Sequence, residues 1–444
     1  MTRPSFIQGL HKLNERFHIF SEIIERDDDW EIPEDGFHFS AKDNLCSLEM
    51  QTRAGSKILD GYRPPFDATS ISRLKEAGGV LVAKDNMDEF GFGTFSTNCA
   101  YGVPRNPYDE ERCCGGSSGG SAAAACLIEG HLALGESTGG SIACPAAFCG
   151  VYGLTPTYGR VSRYGLVDYA NSLDKIGLLS RSAEQIVKHL PTISGKDPMD
   201  PTSWAQPELL LEGMEAKKIA VPREALDGLD ESVSDTFMRI MNNMESIGME
   251  VEEVSIPSLS YSLPAYYILA TSESSTNLAR YSGMRFGVRN DNYNSHFNDF
   301  FSQIRSREFG KEAKRRILLG TFSRMVGFRD RYYMKALQVR SLVIREYQKV
   351  FEDHDVVMTP TMPFVAPRFN EIDRMRPLDM YKADFLTVPP NLCGLPHVSI
   401  PSDCIDGMPV GVQVVAPHWQ EGMLADIMLR WEEHFVPKHP EVVL

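Results

Sequence analysis

Two clusters of glycine and hydroxyl residues stand on either side of a run of small apolar residues. The first is Gly115, Gly116, Ser117, Ser118, Gly119, Gly120 and Ser121; the second is Ser137, Thr138, Gly139, Gly140 and Ser141. A serine hydroxyl can attack a carbonyl carbon or relay a proton. Glycine lets the backbone approach a ligand closely or take positive φ. A flexible linker has a similar composition. The residues between the clusters argue against a linker: Ala122 to Ala125, Leu127, Ile128, Leu132 and Leu134 suit a buried helix and strand. A base is also in reach. The string Ala-Lys-Asp-Asn occurs at 41–44 and again at 83–86, each time closing an apolar strand. Strand ends are where α/β sheets carry functional groups. A lysine buried there loses basicity and can take a proton near neutral pH. The residues alone do not choose between Lys42 and Lys84.

Other readings of the Gly/Ser region fail on spacing or context. A phosphate-binding loop needs a Lys after its glycines, and none follows here. Gly115 to Gly119 matches the Gly-x-Ser-x-Gly string formally, but residues 110–114 are not the buried strand that a nucleophile elbow requires. Ser-x-x-Lys occurs at Ser72/Lys75 and Ser172/Lys175, a spacing that arises often by chance in a chain of 444 residues. None of the eleven histidines sits in a recognisable Ser-His-Asp context.

The elements that would position these groups alternate between strand and helix. Helical spacing runs from Ile7 to Glu25, with Leu10, Leu13, Phe17, Phe20, Ile23 and Ile24 on one side, before an acidic turn at Asp27 to Asp29. Strands are expected at 37–42, 79–83, 131–134, 217–221, 249–254, 356–358, 398–401 and 411–416. Helices are expected at 68–77, 118–130, 183–190, 233–247, 264–280 and 311–351, and a short helical turn ends near Pro145. A turn-rich crossing is expected over 150–164. The closing helix, 421–435, offers Met423, Ile427, Leu429 and Trp431 as its buried side. The basic residues of 311–351 read as a solvated face, or as an anion or partner site. The pattern implies an α/β fold with a large mixed, mostly parallel sheet covered by helices on both faces.

Bulk properties narrow the class. A net charge of −15 disfavours wrapping nucleic acid over the whole surface. Nine cysteines without zinc-like spacing read as reduced thiols used as small apolar residues, with no metal site. No stretch is long and apolar enough for a membrane span, and the N-terminus has no signal-like core.

Taken together, Gly-Gly-Ser-Ser-Gly-Gly-Ser-Ala at 115–122, Thr-Gly-Gly-Ser-Ile at 138–142 and Pro-Ala-Ala-Phe-Cys-Gly at 145–150 resemble the amidase signature family. The 24 residues from Ser117 to Ser141 match the spacing of that family's two catalytic serines. The resemblance implies a triad of Lys42, Ser117 on a cis peptide bond, and nucleophilic Ser141. It implies backbone N–H groups of Thr138, Gly139 and Gly140 as the oxyanion site. It also settles the duplicate lysine in favour of Lys42. It implies one domain over 1–444: an N-terminal helical segment (1–30), a catalytic core (31–190) and the rest of the sheet with substrate-binding helices (191–444).

Within the family, the segments at 86–90, 154–166, 172–177, 314–321, 381–387 and 391–396 resemble the glutamine-hydrolysing A subunits of tRNA-dependent amidotransferases. That resemblance implies glutamine as substrate, with Arg316 for its α-carboxylate, Asp384 for its α-ammonium and Tyr266 in contact with it. It implies B and C partner subunits, or an equivalent small subunit, which would hold ATP and Mg and reach the tRNA; this chain itself would carry no cofactor. The setting would be cytoplasm or the mitochondrial matrix. Ser137, Ala143 and Cys114 depart from the common pattern of Asp, Arg and Pro. A stand-alone amidase for another small amide and a catalytically silent scaffold are the alternatives from other classes.

Overall fold

The computed structural model describes residues 6–25, 36–246, 248–289, 296–435 and 439–440. The acidic turn at Asp27 to Asp29 and the end of the expected 233–247 helix lie outside them. Eleven strands form one sheet: β1 (Phe20–Ile23), β2 (Phe37–Lys42), β3 (Gly79–Asp85), β4 (Leu132–Ser137), β5 (Tyr152–Thr155), β6 (Lys175–Ser180), β7 (Lys218–Pro222), β8 (Glu250–Val254), β9 (Val356–Pro360), β10 (His397–Ile405) and β11 (Met408–Val415), in the order β1-β3-β2-β4-β6-β5-β10-β11-β9-β7-β8. Among the α-helices are α1 (Phe6–Phe17), α2 (Thr69–Glu76), α3 (Gly119–Leu127), α4 (Ala143–Cys149), α5 (Ala183–Ile193), α6 (Glu231–Ser246), α7 (Leu259–Asn277), α8 (Phe297–Glu308), α9 (Lys311–Arg324) and α10 (Tyr333–Val350). Three short helices, α11 (Phe369–Ile372), α12 (Pro377–Lys382) and α13 (Val388–Cys393), precede the β10–β11 hairpin, and α14 (Glu421–His434) closes the chain.

The α/β class with a large mixed sheet is as the alternation implied. The balance of directions differs: β3, β2 and β4 run parallel, as do β9, β7 and β8, but the six other neighbouring pairs are antiparallel. Segment 150–164 accounts for part of this. It contributes β5, a buried strand in the middle of the sheet, which pairs antiparallel with both β6 and β10.

Several boundaries moved for identifiable reasons. The N-terminal helix stops at Phe17, because His18 takes a left-handed φ of 53°. Phe20 and Ile23 then belong to β1, which lies antiparallel on the edge of β3. Pro145 does not end a helix; it sits in the first turn of α4, where its missing N–H costs nothing. The expected long helix over 311–351 is two helices, broken around Gly327 at a φ of +87°. On α14 the buried stripe is Leu424, Ile427, Met428 and Trp431; Ile427 and Trp431 are buried as expected, whereas Met423 is half-buried and Leu429 faces solvent.

What matters for function is the strand-end edge shared by β2, β3 and β4. α3 is made of Gly, Ser, Ala, Cys and Leu only, and all nine of its residues are buried. Its Gly120 lies so close to the Asn86 backbone that a Cβ there would sit 2.5 Å from the carbonyl oxygen. The small residues thus bring the helix start down onto the strand ends. On the other side of the site, α7 packs against α9 through Gly320, where a Cβ would meet the Thr271 carbonyl oxygen at 1.8 Å. Gly320→Ala will force these helices apart and destabilise the protein by about 1–3 kcal/mol, outweighing the gain in helix propensity. The measurement is the urea midpoint at unchanged m; an unaltered midpoint would show that the helices do not meet there.

Candidate active site

Lys42 is the last residue of β2 and is fully buried. Its register partner on β3 is Asp85, whereas Lys84 is paired with Ala41. Side chains alternate across a strand, so this one-residue offset sends the two lysines to opposite faces. Lys84 bonds the Leu45 carbonyl and Thr52. The Lys42 amine lies 2.7 Å from Ser117 Oγ, 2.8 Å from the Glu136 carbonyl oxygen and 2.9 Å from Glu136 Oε2. Burial pushes its pKa below the ordinary lysine value, against the opposing pull of Glu136, Asp88 and Asp174.

Ser117 follows a cis peptide bond from Gly116 and precedes α3. The loop before it is pinned from below. Ser96 Oγ donates to the Gly115 carbonyl at 2.8 Å, and Asp88, which accepts from the Ser96 and Asn98 N–H groups, lies where a Gly116 Cβ would be. Burial pushes the Asp88 pKa up to about 6, opposed by those hydrogen bonds.

Ser141 lies in the turn from β4 to α4, and its carbonyl accepts from the Ser118 N–H at 3.1 Å. Lys42 and Ser117 are wholly inaccessible, while Ser141 is 6% exposed. The turn itself needs its glycines. A Cβ on Gly139 would strike the Tyr266 hydroxyl at 2.8 Å, and one on Gly140 would strike Thr387 Oγ1 at 2.3 Å. The Ser137 hydroxyl closes on the Gly139 carbonyl at 2.9 Å, and Asn391 donates to the Thr138 carbonyl.

Arg316 and Asp384 lie on the wall beyond this turn. Arg316 is buried on α9, with Nε 2.8 Å from Glu312 Oε1 and Nη1 donating to the Tyr169 hydroxyl. Four rings, Phe92, Tyr169, Tyr267 and Tyr381, surround its guanidinium at 5.1–5.6 Å. Asp384 accepts from Thr94 Oγ1 at 3.0 Å and from the Tyr267 hydroxyl at 2.7 Å. Thr387, on Gly140, bonds the Asp384 carbonyl. A cavity of about 210 Å³ is lined by Thr94, Glu312, Arg316 and Tyr381, among others. The three candidate triad residues are not in its lining; Thr387, which bonds the Asp384 carbonyl, packs on Gly140 next to Ser141.

The structure thus brings all nine sequence-derived residues into one region, and it separates the adjacent tyrosines. Tyr266 covers Gly139, while Tyr267 bonds Asp384. Sequence reasoning missed Tyr267, Glu312, Thr94, Asp88 and Glu136. Only Glu136 left a signal, as the one charged residue in the otherwise buried, neutral strand Leu132–Ser137. Neither Ser-x-x-Lys pair is bonded: Lys75 holds Asp67 and Lys175 the Leu395 carbonyl. All nine cysteines are free, and seven are buried. Among the described residues there is no group of three His, Cys, Asp or Glu able to hold a metal ion, and no helix long and apolar enough to cross a membrane.

A family model described as Amidase matches residues 32–425. The chain belongs to the amidase family. Its amidase relatives include the A subunit of glutamyl-tRNA(Gln) amidotransferase from Methanococcoides burtonii, 45% identical over 90% of this chain and 84% of that protein. The protein of the same name from Haloarcula marismortui is 44% identical over 91% of this chain and 96% of its own length. The amidase fold is shared with the crystal structure of the corresponding A subunit of glutamyl-tRNA(Gln) amidotransferase from Thermotoga maritima, at a TM-score of 0.82 and 35% identity over 98% of this chain and 93% of that one. Peptide amidase from Stenotrophomonas maltophilia aligns at a TM-score of 0.79 and 27% identity, over 98% of this chain and 93% of its own.

Asp384 makes the site pH-sensitive. Burial pushes its pKa up to about 6, opposed by the bonds from Tyr267 and Thr94. An ammonium ligand needs the ionised carboxylate, so affinity for it will be full above that value and will fall as the pH drops through about 6. Calorimetric titrations across this range will show the loss, and Asp384→Asn will lower affinity and flatten the profile. A flat wild-type profile would remove Asp384 from ligand binding.

Proposed function

We propose that this chain is the glutamine-hydrolysing A subunit of a tRNA-dependent amidotransferase. The observation that carries the reading is the opposite-charge pair Arg316 and Asp384, buried beside the serine turn and bridged by Tyr267. A simple amide needs no such pair. Glutamine has an α-carboxylate for the guanidinium and an α-ammonium for the carboxylate, with its side-chain amide left to reach Ser141. The names of the relatives support the same reading.

In this reading Lys42 is the neutral base. Its lone pair takes the Ser117 proton while Ser117 Oγ takes the Ser141 proton, and Ser141 Oγ attacks the amide carbon. The carbonyl π pair moves onto oxygen, where the N–H groups of Thr138, Gly139 and Gly140 hold it. Collapse breaks the C–N bond, and the proton returns by Ser117 to the leaving ammonia. Water then attacks the glutamyl ester on Ser141 by the same relay and releases glutamate. The ammonia passes to a partner, a B subunit with a C or equivalent small subunit, which would use ATP and Mg to activate Glu-tRNA(Gln) or Asp-tRNA(Asn). We assign no cofactor to this chain and place it where charged tRNA is made, in the cytoplasm or the mitochondrial matrix.

Ammonia release from glutamine, with co-expressed partner subunits, tests the reading. Ser141→Ala will lower the rate at least about a thousandfold. Arg316→Lys will raise KM for glutamine by about 10–100-fold, with a smaller effect on kcat, because an ammonium cannot replace a bidentate fork. Turnover of other small amides without turnover of glutamine would establish a stand-alone amidase instead.

A further inference from the structure

Glu136 is a buried carboxylate, 1% exposed, on the strand next to Lys42. Both of its ends engage the lysine: the main-chain oxygen at 2.8 Å and Oε2 at 2.9 Å. With Ser117 Oγ at 2.7 Å, the amine nitrogen has three neighbours. An ammonium donates to all three. A neutral amine has two N–H groups and one lone pair. The main-chain oxygen can only accept, and an ionised carboxylate can only accept. The two N–H groups of neutral Lys42 are therefore committed to Glu136, and the lone pair is left facing the Ser117 hydroxyl, which can turn to donate.

We propose that Glu136 is a positioning residue for acylation: it aims the lone pair of Lys42 at Ser117 and supplies the counter-charge when Lys42 takes the proton. The proposal rests on the Lys42–Ser117–Ser141 path and not on glutamine being the amide.

The surroundings fit this role. Asn44 Nδ2 donates to Glu136 Oε2 at 3.1 Å, and Thr138 Oγ1 lies 2.9 Å from both Glu136 Oε1 and Asp174 Oδ1. One hydroxyl has one proton, so it cannot donate to two carboxylates. Burial, then the nearby Glu136, raises the Asp174 pKa well above the ordinary carboxylate value, so Asp174 keeps its proton and donates to Thr138, whose own proton serves Glu136. Asp88, from the loop after β3, also acts on Lys42, and its N–H donates to the Ser117 carbonyl. Asp88 and Asp174 both remain when Glu136 is changed.

The test measures labelling of Ser141 by a fluorophosphonate in the full chain with its partners, across pH, rather than glutamine turnover. In Glu136→Gln the amide oxygen still accepts an N–H but the charge is gone. The acid limb of the labelling rate will move to lower pH by about one unit or more, and the plateau will fall by about tenfold or less. Asn44→Ala removes a donor that competes with Lys42 for Oε2. The carboxylate then holds the ammonium more tightly, and the limb will move to higher pH. Opposite shifts in the two variants establish the role; if Glu136→Gln does not fold, the upward shift of Asn44→Ala decides. Limbs that overlay the wild type, with only melting temperature lowered, would make Glu136 a structural residue and overturn the proposal. Labelling without glutamine turnover would leave this result standing and remove only the choice of substrate.

Discussion

The Lys42 amine is enclosed at the end of a sheet strand, shut off from solvent and faced by three oxygen atoms. Burying an amine is costly in its charged form and much less so in its neutral form, and this difference holds the Lys42 pKa below the ordinary lysine value. The rest of the site is arranged to keep that enclosure. Parallel pairing of β2 with β4 brings Lys42 and Glu136 within reach of each other. The short residues of α3 let Ser117 come down onto the strand ends from the other side. Asp88, with Ser96, holds the preceding loop from beneath. A larger side chain at Gly116 or Gly120 would push against Asp88 or the Asn86 backbone and open the enclosure.

The wall beside the serine turn is built from different material. Arg316, Tyr266, Tyr267 and Asp384 come from α7, α9 and the loop after α12, all after residue 258. They join the catalytic turn at two contacts only a glycine permits, Tyr266 on Gly139 and Thr387 on Gly140. The same two glycines therefore fix the distance between the Ser141 turn and the wall that carries Arg316 and Asp384.

The motif was legible because its residue types are so restricted. Small residues at 115–125 and 138–141 have no other reason to recur at that spacing; β2 was legible from its period-two alternation, and β3 from its short apolar run. Other parts were not legible. β1 was hidden because Phe20, Ile23 and Ile24 continue the helical spacing of α1, and only the left-handed turn at His18 ends it. β6 was missed because Lys175 opens it with a charge that is buried only in the fold, against the Leu395 carbonyl. The direction of pairing in the middle of the sheet depends on where β5, β10 and β11 return, which no local pattern encodes.

The amino-acid sequence by itself determined the chemistry available: two serines at a fixed spacing, a lysine at a strand end, and glycines where bulk is excluded. These follow from residue type and short-range periodicity. The resemblance named Lys42 over Lys84, but the register that turns Lys84 to the other face, the choice of tyrosine that meets Asp384, and the aim of Glu136 at an amine were decided only by tertiary structure. For the lysines and Glu136 this turns on a register of one residue between strands far apart in the chain; for the tyrosines it turns on which face of α7 meets Asp384. In a pleated strand one residue is the difference between opposite faces, and pairing with a distant neighbour alone sets it.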